Sequence, residues 1–206
     1  VGTRFATPYG LEMARRLSTA AVQRGFTVVS GLARGIDGMA HDAAIRTGGR
    51  TIAVLGSGVE RIYPAEHTTL SGQVIESGML VSEHPPRAAP TAGAFPRRNR
   101  LISGMALGLI VVEAPGQSGA LITARFALEQ GREVFAVPGP INQKSSRGCH
   151  RLIREGAVLI ESLDDVIEEL GPLAWETQDS RGQDIRHPAE LNLNDLERRI
   201  LATMET

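Results

Sequence analysis

The chain has 206 residues, 42% of them hydrophobic, and a formal net charge of −1 that conceals a strong asymmetry. Residues 1–154 carry 18 basic and 10 acidic side chains, whereas residues 155–206 carry 4 and 13. This length suits one α/β domain with a short appendage, and a basic body beside an acidic tail suggests contact with nucleic acid. The single cysteine excludes an intrachain disulfide and is consistent with a cytoplasmic location, and no apolar run is long enough for membrane insertion.

Strand and helix patterns alternate along the body. Val1 and Gly2 are expected to end a strand whose start lies outside this sequence. A helix is predicted over 8–24, with Thr7 as its N-cap and Pro8 at its first position. Further helices are predicted over 36–47, 65–76 and 120–130, and buried strands over 27–30, 51–55, 79–82, 109–112, 134–137 and 157–160. The alternation predicts a doubly wound, mainly parallel sheet with right-handed crossovers.

Glycine-rich turns follow several of these strands, at the sheet edge where α/β proteins bind ligands. Gly31 follows the 27–30 strand, and Gly56, Ser57 and Gly58 follow the next. Free amides in such turns bind phosphate, although βα turns also need glycine for purely structural reasons. Neither a Walker lysine motif nor a GxGxxG fingerprint after the first strand is present, so we expect no nucleotide cofactor.

The segment 95–100 concentrates charge in a way that a folding core does not require. It contains Phe95, three arginines and an amide, and an apolar run follows it directly. Closely spaced guanidiniums favour a polyanionic partner such as a nucleic-acid backbone. Phe95 either stacks on a base or fills the core, and Asn99 either bonds to the nucleic acid or caps the helical pattern that follows it.

Two other pairs of residues suggest chemistry less convincingly. Asp37 and His41 are spaced i, i+4, as in metal-ligand pairs, but further ligands are lacking, so a helix-capping aspartate and a locally bonded histidine are favoured. Cys149 and His150 suggest a nucleophile, but no third group orients them. We therefore expect neither a metal site nor a catalytic residue.

The acidic tail differs in character from the body. Residues 161–170 predict a short acidic helix that closes the domain, which gives a domain over 1–170. Residues 171–190 are polar and rich in Gly, Pro and Gln, as in a linker. Leucines after Asn194 and Asp195 suggest that 191–206 begin another module.

Taken in order, the motifs resemble those of the DNA-processing protein A (DprA/Smf) family over about residues 1–170. The matching segments are Gly2-Thr3-Arg4, Thr7–Gly10, Ser30–Asp37, Ala40-His41, Ala53–Gly58, Tyr63-Pro64, Ser82-Glu83, Phe95–Arg100, Glu113-Ala114, Ser118-Gly119 and Val137–Gly139. The resemblance implies an extended Rossmann-like fold with helices on both faces of the sheet. It also implies that residues 191–206 start a winged-helix-like module.

In function, the resemblance implies a homodimer that binds single-stranded DNA, protects incoming DNA and loads the RecA recombinase during natural transformation. The resemblance implies a protein without enzymatic activity. The residues that match the family's DNA-binding elements are Arg4, Phe95, Arg97, Arg98, Asn99 and Arg100, with a weaker match at Lys144. The expected chemistry is guanidiniums on phosphates, Phe95 under a base, and the amides of Gly31 and Gly56–Gly58 near phosphates.

An enzyme is the alternative from a different class. The turn Pro115–Gly119, with Thr123 and Glu129 after it, is similar to the phosphate-binding motif of Rossmann-like nucleotide phosphoribohydrolases, the lysine-decarboxylase-like family. Gln117 and Ser118 depart from that motif, the threonine falls late, and the catalytic arginine arrangement is absent. The sequence therefore favours the DNA-binding interpretation.

Overall fold

The computed structural model describes residues 1–174, 177–178 and 184–185. The first of its two compact units, Val1–Val166, contains two three-stranded parallel sheets with helices between the strands. In chain order the elements are α1 (Pro8–Gln23), β1 (Val28–Ser30), α2 (Ile36–Arg46), β2 (Thr51–Val54), α3 (Thr68–Ser77), β3 (Gly78–Val81), α4 (Ala94–Gly104), β4 (Gly108–Val111), α5 (Gly119–Glu129), β5 (Glu133–Ala136), α6 (Arg147–Arg154), β6 (Val158–Leu159) and α7 (Leu163–Leu170). The predicted α/β fold class is confirmed.

Parallel pairing fixes the register in each sheet. In the first sheet β2 lies between β1 and β3, so that Thr51 is opposite both Val28 and Gly78. In the second sheet β5 lies between β4 and β6, and Phe135 pairs with both Ile110 and Val158. Carboxyl ends of parallel strands share one edge, so the turns after β1 and β2 come together there.

The N-terminal residues run beside the end of β4. The Val1 amine donates to the Ile110 carbonyl at 2.8 Å, and the Val112 amide donates to the Val1 carbonyl at 3.0 Å. Gly2 forms a parallel bridge with Glu113. The first three residues therefore bring Arg4 to the same sheet edge as the glycine turns.

Helix boundaries follow the local chemistry of the sequence. Thr7 caps α1 as predicted, because its side chain accepts a hydrogen bond from the Gly10 amide at 3.1 Å. Gly131, with a φ of 67°, follows α5 in the left-handed conformation that glycine tolerates. The helix predicted over 65–76 instead begins with a 3₁₀ turn, Ala65–His67, that leads into α3.

Apolar side chains form separate clusters against the two sheets. One cluster, including Val111, Ala124 and Val134, packs α5 and α6 against β4 and β5. Another joins Leu32, Ala53, Leu55 and Val74 around β2 and α3. Leu32 and Leu55 of the second cluster are the direct neighbours of Gly31 and Gly56, so buried side chains hold these two glycine turns in place.

The second unit spans Ile167–Thr206. Its described part comprises the end of α7, a 3₁₀ turn over Gly171–Ala174, and a short antiparallel pair, β7 (Thr177–Gln178) with β8 (Asp184–Ile185). The predicted linker, 171–190, is described only at those positions. The predicted C-terminal module, 191–206, lies outside the described residues. No helix among the described residues is long and apolar enough to span a membrane.

Candidate nucleic-acid interface

The arginine-rich segment forms the first half of a helix, α4. Pro96 is tolerated because it lies in the first turn, where amides have no helical acceptor. The helical twist separates the neighbouring arginines: Arg97 is exposed, Arg98 is buried, and Arg100 is half-buried. Three arginines within four residues of sequence therefore face three different environments.

Phe95 lies at the centre of an aromatic and cationic cluster. Its ring centroid is 5.3 Å from that of Tyr63, and the guanidinium carbon of Arg4 lies 5.4 Å from it. Both distances suit attractive aromatic and cation–π contacts. A small cavity of about 20 Å³ adjoins these three residues. Tyr63, which is 42% exposed, was not among the predicted site residues.

The ring of Phe95 packs against Gly56. A Cβ atom at Gly56 would lie 2.8 Å from Cδ1 of Phe95, closer than carbon atoms approach. Phe95 is therefore packed against the turn after β2 and remains half-buried. The ring combines the two predicted alternatives, since it fills space above Gly56 and leaves part of its surface accessible.

Arg98 occupies a structural position that the sequence did not suggest. Its side chain is 6% exposed, and Nη1 donates to the carbonyls of Gly31, at 2.7 Å, and of Val54. Burial lowers the pKa of this guanidinium, and the negative charge of Asp37 opposes that effect. Nη1 is thus engaged by carbonyls where β1 and β2 end, which gives Arg98 a structural role, and the predicted contact of Arg98 with a phosphate stays a prediction.

The glycine turns are shaped by internal hydrogen bonds. The Gly31 amide donates to the Asp37 carboxylate at 3.2 Å, and the Gly58 amide donates to the Ala88 carbonyl at 2.9 Å. The Ser57 hydroxyl donates to the Arg61 carbonyl at 2.6 Å. The amides of Gly31 and Gly58, predicted to face phosphate, are therefore occupied by protein acceptors here.

Two histidines hold the turn after β1 at Leu32. Leu32 has a φ of 55°, which is unfavourable for a side chain of this kind, and is fully buried. Its amide donates to Nε2 of His41 at 3.3 Å, and its carbonyl lies 2.9 Å from Nδ1 of His67. The strained backbone is thus fixed on both sides by imidazole groups.

His41 is a structural histidine, as predicted. Its Nδ1 lies 2.7 Å from the Thr51 hydroxyl, which donates to the Val28 carbonyl, so Nδ1 carries the proton. Burial lowers the pKa of His41 from 6.5 to about 4.

Asp37 lies in the first turn of α2 but does not cap it, because its carboxylate binds the Gly31 amide instead. Among residues 1–174 no group of three or more His, Cys, Asp and Glu side chains could hold a metal.

Two arginines of this region form ion pairs with carboxylates. Arg34 forms a two-pronged ion pair with Glu66, with nitrogen–oxygen distances of 2.7 and 2.6 Å. Arg100 forms an ion pair with Glu83, which follows β3. Within the described part of the chain, neither Arg4 nor Arg97 has a carboxylate at ion-pair distance. Arg97 lines a second cavity, of about 290 Å³, beside Glu83 and His84.

Asn99 and Lys144 differ in their relation to this cluster. Asn99 lies inside α4, so the alternative that it caps a following helix is wrong; its side chain donates to the Gly119 carbonyl at 3.2 Å. Lys144 is exposed in a 3₁₀ turn, Lys144–Ser146, that precedes α6. It does not line either cavity near Phe95.

The turn that carries Arg4 is anchored at both ends. On one side the Thr3 amide donates to the Glu113 carbonyl at 2.7 Å. On the other, the amide and hydroxyl of Thr7 both donate to the Glu113 carboxylate at 2.8 Å. Glu113 itself is buried. The backbone of Arg4, Phe5 and Ala6 therefore spans a short gap between two fixed points.

Cys149 has none of the features of a nucleophile. Its thiol is buried in the second sheet's cluster, 3.6 Å from the Val111 carbonyl, and burial raises its pKa to about 11. The adjacent His150 directs Nε2 to the Gly139 carbonyl at 2.9 Å, away from any role as a base for the thiol.

The residues that suggested a phosphoribohydrolase also have structural partners. The Thr123 hydroxyl is buried and donates to the Gly119 carbonyl at 3.2 Å, within its own helix. Glu129, at the end of α5, pairs with Arg125 at 2.8 Å. Since α5 begins at the turn after β4, Glu129 lies at the far end of the helix from the phosphate-binding turn of that motif.

Known proteins are similar to this chain over most of its length. The Smf protein of Escherichia coli K12 is 50% identical over 171 residues, which cover 82% of this chain and 46% of that protein. The solved structure of DNA processing protein A from Streptococcus pneumoniae superposes with a TM-score of 0.76 at 43% identity, covering 82% of this chain and 59% of that one. The chain spans about half the length of the curated relatives it matches.

A second solved structure concerns nucleic acid directly. DNA processing protein A from Helicobacter pylori, described for its single-stranded DNA binding mode, has a TM-score of 0.75 and 28% identity, covering 82% of this chain and 77% of its own. A family model for DNA recombination-mediator protein A matches residues 1–171. The chain therefore belongs to the DNA recombination-mediator protein A family, as the order of its motifs predicted.

Proposed function

We propose that this chain binds single-stranded DNA through an arginine–aromatic surface made of Arg4, Tyr63, Phe95, Arg97 and Arg100. The observation that carries the proposal is the guanidinium of Arg4 over the Phe95 ring, beside Tyr63. An accessible ring next to guanidiniums can hold an unpaired base while the charges contact its phosphates. A duplex keeps its bases stacked, so it offers the rings nothing to bind.

Binding, and not catalysis, is the activity that these residues support. The groups that could have served an enzyme have internal partners: Cys149 is buried, and Glu129 is paired with Arg125. Incubation with nucleoside monophosphates tests the enzymatic alternative. Release of free base would support a phosphoribohydrolase and oppose the proposal.

Family membership supports a proposal for the wider role of this chain. We propose a homodimeric, cytoplasmic protein that processes and protects incoming DNA and loads the RecA recombinase onto it during transformation and recombination. Light scattering of the purified chain tests the dimer. Strand exchange by RecA on DNA covered with a single-strand-binding protein tests loading, and no stimulation by this chain would contradict it.

Substitutions that each remove one arginine charge from this surface should weaken binding and also change its dependence on salt. Fluorescence anisotropy should show tight binding of oligo-dT and weak binding of duplex DNA. For Arg4→Ala and Arg97→Ala, we expect the slope of log affinity against log salt to fall in magnitude by about 0.7 per lost phosphate contact.

A matched control is available on α5. Arg125 is an exposed arginine near the end of α5, and Arg125→Ala should leave both affinity and salt slope unchanged. Equal affinity for single and double strands would indicate a nonspecific basic surface. Unchanged slopes in folded Arg4 and Arg97 variants would overturn the proposed surface.

Removing the carboxylate that competes for Arg100 should strengthen binding. Arg100 pairs with Glu83 in the free protein, so a phosphate must displace this carboxylate. Glu83→Gln should therefore raise the affinity for oligo-dT by up to about five-fold at low salt, because an exposed pair of this kind is worth about 0.2–1 kcal/mol. The measurement is the same anisotropy titration.

Glu129→Gln is the control for this effect, since it also removes an exposed carboxylate from an arginine. Glu129→Gln changes the net charge by the same amount as Glu83→Gln. If both variants raise affinity equally, the gain reflects total charge alone, and the idea that Glu83 competes with DNA for Arg100 is wrong.

A further inference from the structure

Phe5 is an aromatic residue that the fold does not bury. Its ring is 87% exposed, whereas large apolar side chains normally lose most of their exposure on folding. The residue lies on the turn anchored at both ends by Glu113, and its own amide donates to the Thr3 hydroxyl at 3.2 Å. The ring is therefore held out in solvent by a constrained backbone.

A groove of about 590 Å³ lies beside this ring. Parts of α1, α2 and α3 form its walls, which include Met39, Leu70 and Gln73. Arg4 lines both this groove and the small cavity at Phe95. The groove and the arginine–aromatic surface therefore adjoin each other at Arg4.

The charges of the groove indicate which part of a nucleotide it would accept. Two acidic residues line it, Asp42 and Glu66, and within the described residues only Glu66 is paired with an arginine, so Arg4 gives the groove its most favourable position for a phosphate. The uncharged amide of Gln73 and hydroxyl of Thr69, together with the apolar walls, suit a base with polar edges.

We propose that Phe5 is a second base-stacking residue, which holds the base next to the one bound at Phe95, with Arg4 on the phosphate between them. This inference rests on the proposed function, since it extends the same strand across Arg4 into the groove. Stacking on an aromatic side chain tolerates any base, so the extension adds affinity without sequence preference.

The test compares substitutions at Phe5 in the otherwise intact chain. Phe5→Ala should weaken binding of oligo-dT by about five-fold to 100-fold, the range that base–aromatic stacking gives on alanine substitution. Phe5→Trp should retain the affinity of the original protein. Leu128→Ala, which removes another exposed apolar side chain (61% exposed), should have no effect.

A fluorescence measurement distinguishes stacking from an indirect effect. Trp175 is the only tryptophan, so Phe5→Trp combined with Trp175→Phe gives a single reporter at position 5. Its emission should be quenched when oligo-dT binds, as expected for an indole stacked on a base. Circular dichroism checks that each variant is folded.

The outcomes separate this inference from the proposed function. If Arg4→Ala and Phe95→Ala weaken binding while Phe5→Ala does not and the reporter is not quenched, Phe5 does not stack and the proposed function stands. If the original protein does not bind single strands, the proposed function fails, and the extension fails with it.

Discussion

Arg98→Met is expected to lower the free energy of unfolding by about 3 kcal/mol, because it leaves two buried carbonyl groups without a donor. Methionine keeps much of the volume but cannot donate to the carbonyls of Gly31 and Val54. Urea unfolding, followed by circular dichroism, measures the change. Arg98→Lys restores one charged donor without the planar fork and should recover only part of the loss.

The neighbouring arginine supplies the control. Arg97 is exposed, so Arg97→Met should change the free energy of unfolding by less than about 0.5 kcal/mol while weakening DNA binding. Arg98→Met should therefore mainly lower stability, whereas Arg97→Met should mainly weaken DNA binding. If Arg98→Met unfolded at the same urea concentration as the original protein but bound oligo-dT poorly, Arg98 would be a direct phosphate contact and the structural role would be wrong.

Acid is expected to destabilise the fold through His41. In the native state burial lowers the pKa of His41 to about 4, whereas an unfolded histidine has its ordinary value of 6.5. Between these values the unfolded chain binds a proton that the native chain does not. The stability contributed by neutral His41 is therefore complete above about pH 6.5 and is lost as the pH falls towards 4, by about 3 kcal/mol in total.

Comparison with a variant isolates this contribution from other titrating groups. His41→Gln should be less stable than the original protein at pH 7, since it disturbs the bonds to Leu32 and Thr51. The difference in free energy of unfolding between the two proteins should narrow as the pH falls from 6.5 to 4. A constant difference across that range would show that His41 does not bind its proton more weakly in the native state.

Much of the fold could be predicted from the sequence because its signals are local. β-branched apolar runs gave the six strands of the two parallel sheets, and Thr7-Pro8 gave the start of α1. The helix α4 was not predicted. Pro96 and the charged residues after Phe95 obscured a helical pattern whose buried face includes Arg98 in place of an apolar residue.

The site was predicted in part, and the omissions have a common physical cause. Phe95 and Arg97 were predicted from their residue types, and Arg4 was predicted from the family resemblance. The burial of Arg98 depends on carbonyls at the ends of two strands that are distant in sequence, and local composition does not encode this. Tyr63 reaches Phe95 only through the tertiary fold. The roles of such residues depend on which strand ends lie together in the fold, and these roles can be assigned only from the structure.

The buried thiol of Cys149 has a practical consequence. Thiol reagents attack the thiolate, and a pKa of about 11 together with burial leaves almost none of it at neutral pH. A reagent can therefore modify the Cys149 thiol only after β4 and α6 have separated. Because this is the only cysteine in the chain, its rate of alkylation reports how often the interior of the second sheet opens, without any label being introduced.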